Sequence, residues 1–98
     1  MTIEIKRNAE ETTIKLVGRL DTTTAPALDK TIGEDIAGTK NLVLDVKELE
    51  YISSAGLRVF LGAQKKMQKI GSMKVINVRE EVMEVFEMTG FADILTIA

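Results

Sequence analysis

Two adjacent serines stand where a predicted strand passes into a predicted helix, in the segment Tyr51-Ile-Ser-Ser-Ala-Gly-Leu57. Serines at such a position can cap the helix, act as nucleophiles or carry a phosphate. Ser53 has the position of an N-cap, whose hydroxyl accepts a hydrogen bond from an amide one turn into the helix. Ser54 is then the first helical residue, with its hydroxyl exposed beside the free amides of Ala55 and Gly56. A phosphate on Ser54 would lie in the positive field of the helix end.

Nucleophilic catalysis by these serines is disfavoured because the usual base is missing. The chain contains no His and no Cys, and the segment lacks the G-x-S-x-G elbow of serine hydrolases. The same two absences remove disulfides, thiolate chemistry and zinc sites built on those ligands. No Gly-rich loop that would cradle ATP is present. An enzyme that uses Asp21 or Asp45 with Ser54 is therefore the least favoured hypothesis, and hydrogen bonding within a loop is the expected role of Asp45.

Gly56 is unexpected in the first turn of a helix, because glycine lowers helix propensity. Room for a closely approaching partner or phosphate would explain it. A second polar junction, "GRLDTTTAP", offers Asp21, Thr22, Thr23 and Thr24. Loops that follow the carboxyl ends of parallel strands, where helix N-termini present free amides, are the usual place for function in an open sheet.

Alternating apolar residues predict that these junctions follow a hairpin and a buried strand. "TIEIKR" and "TTIKLVGRL" alternate with a period of two and are joined by a short polar link. The unbroken apolar run in "NLVLDV" predicts a central strand that is covered on both faces, as in a parallel sheet flanked by helices. "MKVINV" predicts a further strand, and "FADILTIA" a turn with a last short strand.

Three segments have the period of amphipathic helices. The first is capped by Thr24, carries Pro26 in its first turn and closes near Gly38; the second ends at Gly71 and the third at Gly90. Their predicted inward residues are Leu28, Ile32 and Ile36 in the first helix, Leu57, Phe60, Leu61, Met67 and Ile70 in the second, and Val82, Val85 and Phe86 in the third. The order of elements predicts one α/β domain over residues 1–98, with a mixed, mostly parallel sheet of four or five strands and three main helices.

Composition excludes several classes of function. The net charge is −2, and no Lys/Arg cluster is present, which disfavours nucleic-acid binding. No apolar run approaches the roughly 20 residues of a membrane span. The N-terminus lacks the apolar region of a signal peptide, so a cytoplasmic location is expected.

A resemblance to a known family is carried by three segments, "GRLDTTTAPAL", "LVLDVKELEYISSAGLRVFLGAQKKM" and the closing "GFADILTI". Together they resemble the STAS domain, specifically the stand-alone bacterial anti-sigma factor antagonists. The resemblance covers essentially the whole chain. It implies helices largely on one side of a mixed sheet and a binding surface around the N-terminus of the second helix. The D-S-[ST]-G-L segment of that family falls on Ser53–Leu57, with Ser53 where the family often has Asp and Ala55 at its second hydroxyl position.

The resemblance implies that Ser54 is phosphorylated by a partner and that Asp21 lies near it. The implied partner is an anti-sigma factor of the serine-kinase type, which carries ATP and Mg²⁺, while a phosphoserine phosphatase resets the switch. The chain itself is expected to need no cofactor and to be a kinase substrate rather than an enzyme. The residues implied in partner binding are Asp21, Thr22, Thr23, Ser53, Ser54, Ala55, Gly56, Leu57 and Arg58.

A constitutive scaffold is the alternative function. In it the domain packs permanently against an ATP-binding transport subunit or another fixed partner, and Ser54 is only structural. The exposed hydroxyl beside Gly56 favours the switch, and the absence of the family's Asp at Ser53 favours the scaffold.

Overall fold

The N-terminal hairpin forms as its alternating pattern predicts. The computed structural model describes residues 1–98, except for the side chain of Asp35. Strand β1 spans Thr2–Asn8 and strand β2 spans Glu11–Leu20, and they pair antiparallel. Three apolar residues of β2, Ile14, Leu16 and Leu20, point to the same side of the sheet and are buried.

The predicted central strand is confirmed, but it is longer than its apolar run. Strand β3 spans Asn41–Ile52 and pairs parallel with β2 on one side and with β4, Ser72–Ile76, on the other. The sheet order is β1-β2-β3-β4. The strand continues through residues 47–52, beyond the apolar run that predicts it, because Leu49 and Ile52 continue to fill the core. Register shifts against β2 accommodate this extension.

All three helices pack on one face of the sheet. Helix α1 spans Ala25–Asp35, helix α2 Ser54–Ile70 and helix α3 Glu80–Thr89. Their buried residues join one core cluster with the inward residues of β2, β3 and β4. The predicted mixed sheet with three helices is thereby confirmed. None of the helices in the described part of the chain has the length and apolar content needed to cross a membrane.

The expected coverage of β3 on both faces is wrong. Val43 points away from the helices and is buried nonetheless, because it lies between Thr13 of β2 and Lys74 of β4 in the paired strands. This second face is polar. A shallow depression of about 320 Å³ on it is lined by Glu4, Lys6, Thr13, Lys15 and Asp45.

The observed helix ends agree in part with those predicted from the sequence. Pro26 lies in the first turn of α1, and Thr24 is its N-cap residue, yet the Thr24 side chain makes no capping bond. Helix α1 ends at Asp35, three residues before Gly38. Gly71 follows the end of α2, and Gly90, with φ +82°, ends α3 in the left-handed conformation.

The predicted inward residues of α1 are buried, and those of α2 and α3 are buried or half-buried with one exception. Ile70 is 50% exposed because it is the last residue of α2, beyond the edge of the core. The last predicted strand is reduced to a single bridge. A 3-10 turn at Phe91–Asp93 leaves only a short tail, in which Ile97 pairs with Val75.

Candidate functional site

Parallel pairing of β2 with β3 brings the two polar junctions together. Leu20 and Ile52 are the last residue pair of these strands, and the Ser53 amide donates to the Leu20 carbonyl at 2.9 Å. Asp21 and Ser53 therefore begin neighbouring loops at the same edge of the sheet. The expected convergence of the junctions is present.

Ser53 has the predicted N-cap role. Its backbone is extended, with φ −94° and ψ 175°, and its Oγ accepts a hydrogen bond from the Gly56 amide at 3.4 Å. Its carbonyl accepts from the Leu57 amide at 2.9 Å. Ser54 is the first residue of α2 and is exposed, with its side chain outside this cap.

Asp21 organises the loop that follows β2. Its Oδ1 accepts hydrogen bonds from the Thr23 hydroxyl at 2.7 Å and from the Thr23 and Thr24 amides at 3.0 and 3.2 Å. The Thr23 hydroxyl, followed by the amides, holds the pKa of Asp21 below its ordinary value, against a smaller opposing effect of desolvation. Asp21 is thus ionised at neutral pH, and it fixes a turn whose Thr22 and Thr23 side chains are exposed.

Thr24 is held by the same turn. Its hydroxyl donates to the Arg19 carbonyl at 2.9 Å and accepts from the Asp21 amide at 2.8 Å. These bonds explain why the threonine does not cap α1. The hydroxyl instead ties the loop back to the end of β2.

Asp45 lies far from this edge, within strand β3 rather than in the expected loop, and its hydrogen bonds are structural. It is seven residues before Ile52 in β3, which corresponds to roughly 23 Å of extended chain. Its Oδ1 accepts from the Lys47 amide and from the Asn77 side chain, both at 3.1 Å. A catalytic pair of Asp45 with Ser54 is not assembled. Among the side chains that the structure describes, no three acidic residues cluster closely enough to hold a metal ion.

Gly56 has a structural explanation that differs from the expected one. It is buried, and a Cβ at this position would lie 2.7 Å from Cγ of Leu20 and 2.9 Å from Cγ1 of Ile52. The glycine therefore lets the first turn of α2 pack on the ends of β2 and β3. The prediction that it leaves room for a partner or phosphate is wrong, because the space on that side is filled by the core.

Of the predicted partner-binding residues, some are exposed and others are buried beneath them and hold the helix in place. The side chain of Leu57 is buried like Gly56, so both act through the position of the helix. Ser53 and Ala55 are half-buried, as is Asp21. The exposed members of the set are Thr22, Thr23, Ser54 and Arg58.

Two neighbouring residues were not identified from the sequence. The guanidinium of Arg19 lies over the Tyr51 ring, 4.3 Å from its centroid. The two residues face each other across β2 and β3, next to the pair that ends both strands. A cation–π contact of this kind stiffens the sheet edge that carries the site. The signal available in the sequence is their position directly before the two junctions.

Comparison with known proteins places these features in a family. The anti-sigma-B factor antagonist of Bacillus subtilis is 30% identical over 97 residues, covering 98% of this chain and 89% of the relative. The same-named protein of Listeria monocytogenes is 33% identical over 101 residues, covering 99% of this chain and 88% of the relative.

Solved structures share the fold. An anti-sigma factor antagonist from Mycobacterium paratuberculosis superposes with a TM-score of 0.88 at 24% identity, covering 98% of this chain and 83% of its own. The phosphorylated form of the Bacillus cell fate determinant SpoIIAA superposes with a TM-score of 0.78 at 19% identity, covering 99% and 91%. A family model of the STAS domain matches residues 2–98, and the chain therefore belongs to the STAS domain family.

Proposed function

We propose that this protein is an anti-sigma factor antagonist and that phosphorylation of Ser54 switches its binding off. The observation that carries the proposal is the exposed Ser54, whose side chain stands outside the Ser53 cap at the first position of α2, where the Ser53 amide ties this junction to the end of β2. The names of the curated relatives support the same function. This activity is regulated binding, and the chain is the substrate of a kinase.

The unmodified protein binds its partner through the surface around Ser54. A serine hydroxyl is small and neutral, so a partner can pack closely over the start of α2. Binding to the anti-sigma factor then displaces the sigma factor. Exposed Thr22, Thr23 and Arg58 extend this surface on both sides of Ser54.

Phosphorylation adds a charge of about −1.5 to −2 at this point. The free protein tolerates the charge, because the positive end of the α2 dipole and the unused amides of the first turn lie beside it. A close-packed interface has to desolvate the same charge. Every ~1.4 kcal/mol of that cost weakens binding tenfold, so a modest penalty releases the partner.

Phosphorylation and its reversal are carried out by partner proteins. An anti-sigma factor with serine-kinase activity supplies ATP and Mg²⁺, and a phosphoserine phosphatase restores the unmodified form. The protein itself holds no cofactor for this function. A cytoplasmic location, where ATP is present, belongs to the same proposal.

The test begins with the protein isolated from its native cells together with whatever co-purifies with it. Mass spectrometry maps phosphate, and the candidate anti-sigma factor is then titrated with purified variants by calorimetry. We expect phosphate at Ser54 alone and partner only on the unmodified fraction. Ser54→Asp should bind at least roughly tenfold more weakly, corresponding to ~1.4 kcal/mol, whereas Ser54→Ala should bind but lose its response to ATP.

Thr31→Ala and Thr31→Asp form the matched control, because Thr31 is a half-buried hydroxyl residue in the middle of α1. They should leave binding and its ATP response unchanged. Equal, ATP-regulated binding by Ser54→Ala and Ser54→Asp contradicts the switch. An unmodified Ser54 throughout growth and stress, with a transporter or other fixed partner bound, would favour the scaffold instead.

A further inference from the structure

The two edges of the sheet differ in how the chain covers them. At one edge the tail that follows α3 lies along the middle of β4: the Val75 amide donates to the Thr96 carbonyl at 2.8 Å, and the Ala98 amide donates to the Val75 carbonyl at 2.9 Å. Strand β1 forms the other edge and pairs only with β2. In the part of the chain that the structure describes, no segment lies along the outer side of β1 in this way. An unpaired edge strand is a template for pairing with another chain.

The hairpin register shows which backbone groups face this free edge. Asn8 and Glu11 are opposite each other and are joined by a link of two residues, so they form the hydrogen-bonded pair that closes the hairpin. Hydrogen-bonded pairs alternate along an antiparallel ladder. The amides and carbonyls of Ile3, Ile5 and Arg7 therefore point away from β2, toward the edge.

The side chains of β1 favour one pairing of this edge with itself. Glu4 and Lys6 are exposed on the polar face of the sheet, and Ile5, between them, is 39% exposed. In two antiparallel copies related by a twofold axis at Ile5, Glu4 of each copy lies opposite Lys6 of the other, and the two Ile5 side chains are opposite each other. Such opposite-charge and apolar cross-strand pairs stabilise a sheet.

Other twofold registers of the same strand are less favourable. An axis at Glu4, Lys6 or Arg7 would place two like charges directly opposite each other, which is destabilising. An axis at Ile3 would place Glu4 opposite Thr2 and form no ion pair. The register at Ile5 is therefore the one that joins opposite charges, covers the exposed isoleucine and uses the free backbone groups.

We propose that β1 pairs antiparallel with β1 of a second copy of this chain, about a twofold axis at Ile5, so that the two sheets become continuous. Charged side chains on an edge strand commonly oppose such pairing, but in this register they attract. A twofold contact of this kind closes after two copies and does not propagate. Because only one pair of strands is in contact, we expect an interface below about 1,200 Å² and a dimer that dissociates readily.

The charge test uses sedimentation equilibrium, from about 10 µM to about 1 mM protein because the interface is small. Glu4→Lys and Lys6→Glu each place like charges opposite each other on both sides of the axis. Each should raise the Kd of the dimer at least about tenfold. Lys74→Glu is the matched control, because Lys74 is exposed in β4 at the other end of the sheet; it should leave the Kd unchanged.

Mixing the two charge variants distinguishes the pairing from damage to the fold. In a mixed dimer of Glu4→Lys with Lys6→Glu, both cross-strand pairs again join opposite charges. The mixture, and the double variant Glu4→Lys/Lys6→Glu alone, should therefore associate within about threefold of the unaltered protein. Circular dichroism and thermal melting verify that each variant is folded.

Amide hydrogen exchange, followed by NMR on the unaltered protein, locates the contact. The amides of Ile3, Ile5 and Arg7 should exchange fast in dilute solution and more slowly as the concentration rises. Those of Glu4 and Lys6, which face β2 in the hairpin ladder, should be protected at every concentration.

Several outcomes would overturn the inference: a monomer over the whole concentration range, a dimer that the charge variants do not weaken, no recovery on mixing, or concentration-dependent protection confined to other residues. Protection of the three edge amides only when another protein is added would make the occupant a strand of that protein, which also overturns the inference. The proposed function is tested separately, because Ser54 follows β3, which β2 separates from β1. Release of the anti-sigma factor by Ser54→Asp can succeed or fail whether or not the dimer forms.

Discussion

Ser54 and Gly56 are two residues apart in the first turn of α2 and have different roles. Ser54 makes no side-chain hydrogen bond in the part of the chain that the structure describes, and it is exposed. Gly56 is buried against Leu20 and Ile52. The fold of the described residues therefore does not depend on the Ser54 hydroxyl, whereas Gly56 lets the first turn of α2 pack on the sheet.

Gly56→Ala should destabilise the protein by about 1–3 kcal/mol, because the added methyl group overpacks the core contact. Urea denaturation measures the change in the free energy of unfolding. Gly62→Ala is the control in the same helix; its Cβ has open space, so it should stabilise the protein by roughly 0.5–1 kcal/mol. Similar effects of the two substitutions would show that Gly56 is not required for packing.

At the scale of the element, the turn after β2 is ordered by its own hydrogen bonds. Asp21 gathers the Thr23 hydroxyl and the amides of Thr23 and Thr24, and Thr24 ties the turn to Arg19. The pKa of Asp21 is depressed by these bonds. A carboxylate with a lowered folded-state pKa stabilises the fold above its unfolded pKa, and this contribution is lost as pH falls through the folded value.

Thr23→Val should raise the pKa of Asp21, because it removes the hydroxyl that makes the largest contribution to the shift. An NMR titration of the Asp21 carboxyl carbon between pH 2 and 6 measures it, around the ordinary aspartate value of about 4. Thr22→Val is the matched control, since Asp21 accepts its bonds from Thr23 and Thr24. If the pKa of Asp21 is unchanged in Thr23→Val, the backbone hydrogen bonds alone are sufficient to hold this turn.

At the scale of the whole molecule, the core is a single layer between one face of the sheet and three helices. Phe60 of α2 and Phe86 of α3 are fully buried, with ring centroids 6.1 Å apart at an angle of 46°. This tilted contact fixes the position of α2 over the sheet. The opposite, polar face of the sheet needs no helix, because its charged side chains remain in water.

Phe86→Ala should cost about 3–5 kcal/mol through lost burial and a cavity beside Phe60. That is a large share of the roughly 5–15 kcal/mol that stabilises a typical domain. Thermal and urea unfolding measure it. Met88→Ala in the same helix is the control: Met88 is 87% exposed, and its loss should change stability by less than about 0.5 kcal/mol. A small effect of Phe86→Ala on the free energy of unfolding would show that this aromatic contact is not what stabilises the packing of α3.

The sequence by itself determined the elements and the chemistry that they could carry. Periods of two and 3.6 located the hairpin and all three helices, because these patterns depend on residues within a turn or two of each other. The same local logic placed Ser53 as the cap and left Ser54 exposed. The resemblance to the STAS family implied an anti-sigma factor as the partner and the packing of the helices on one side of the sheet.

Only the tertiary structure decided which distant residues meet. The packing role of Gly56 depends on Leu20, which lies 36 positions earlier in the chain, and the burial of Val43 depends on two neighbouring strands. The length of β3 and the exposure of Ile70 likewise follow from strand pairing and from the extent of the core. These contacts join segments far apart in sequence, so no local pattern can specify them.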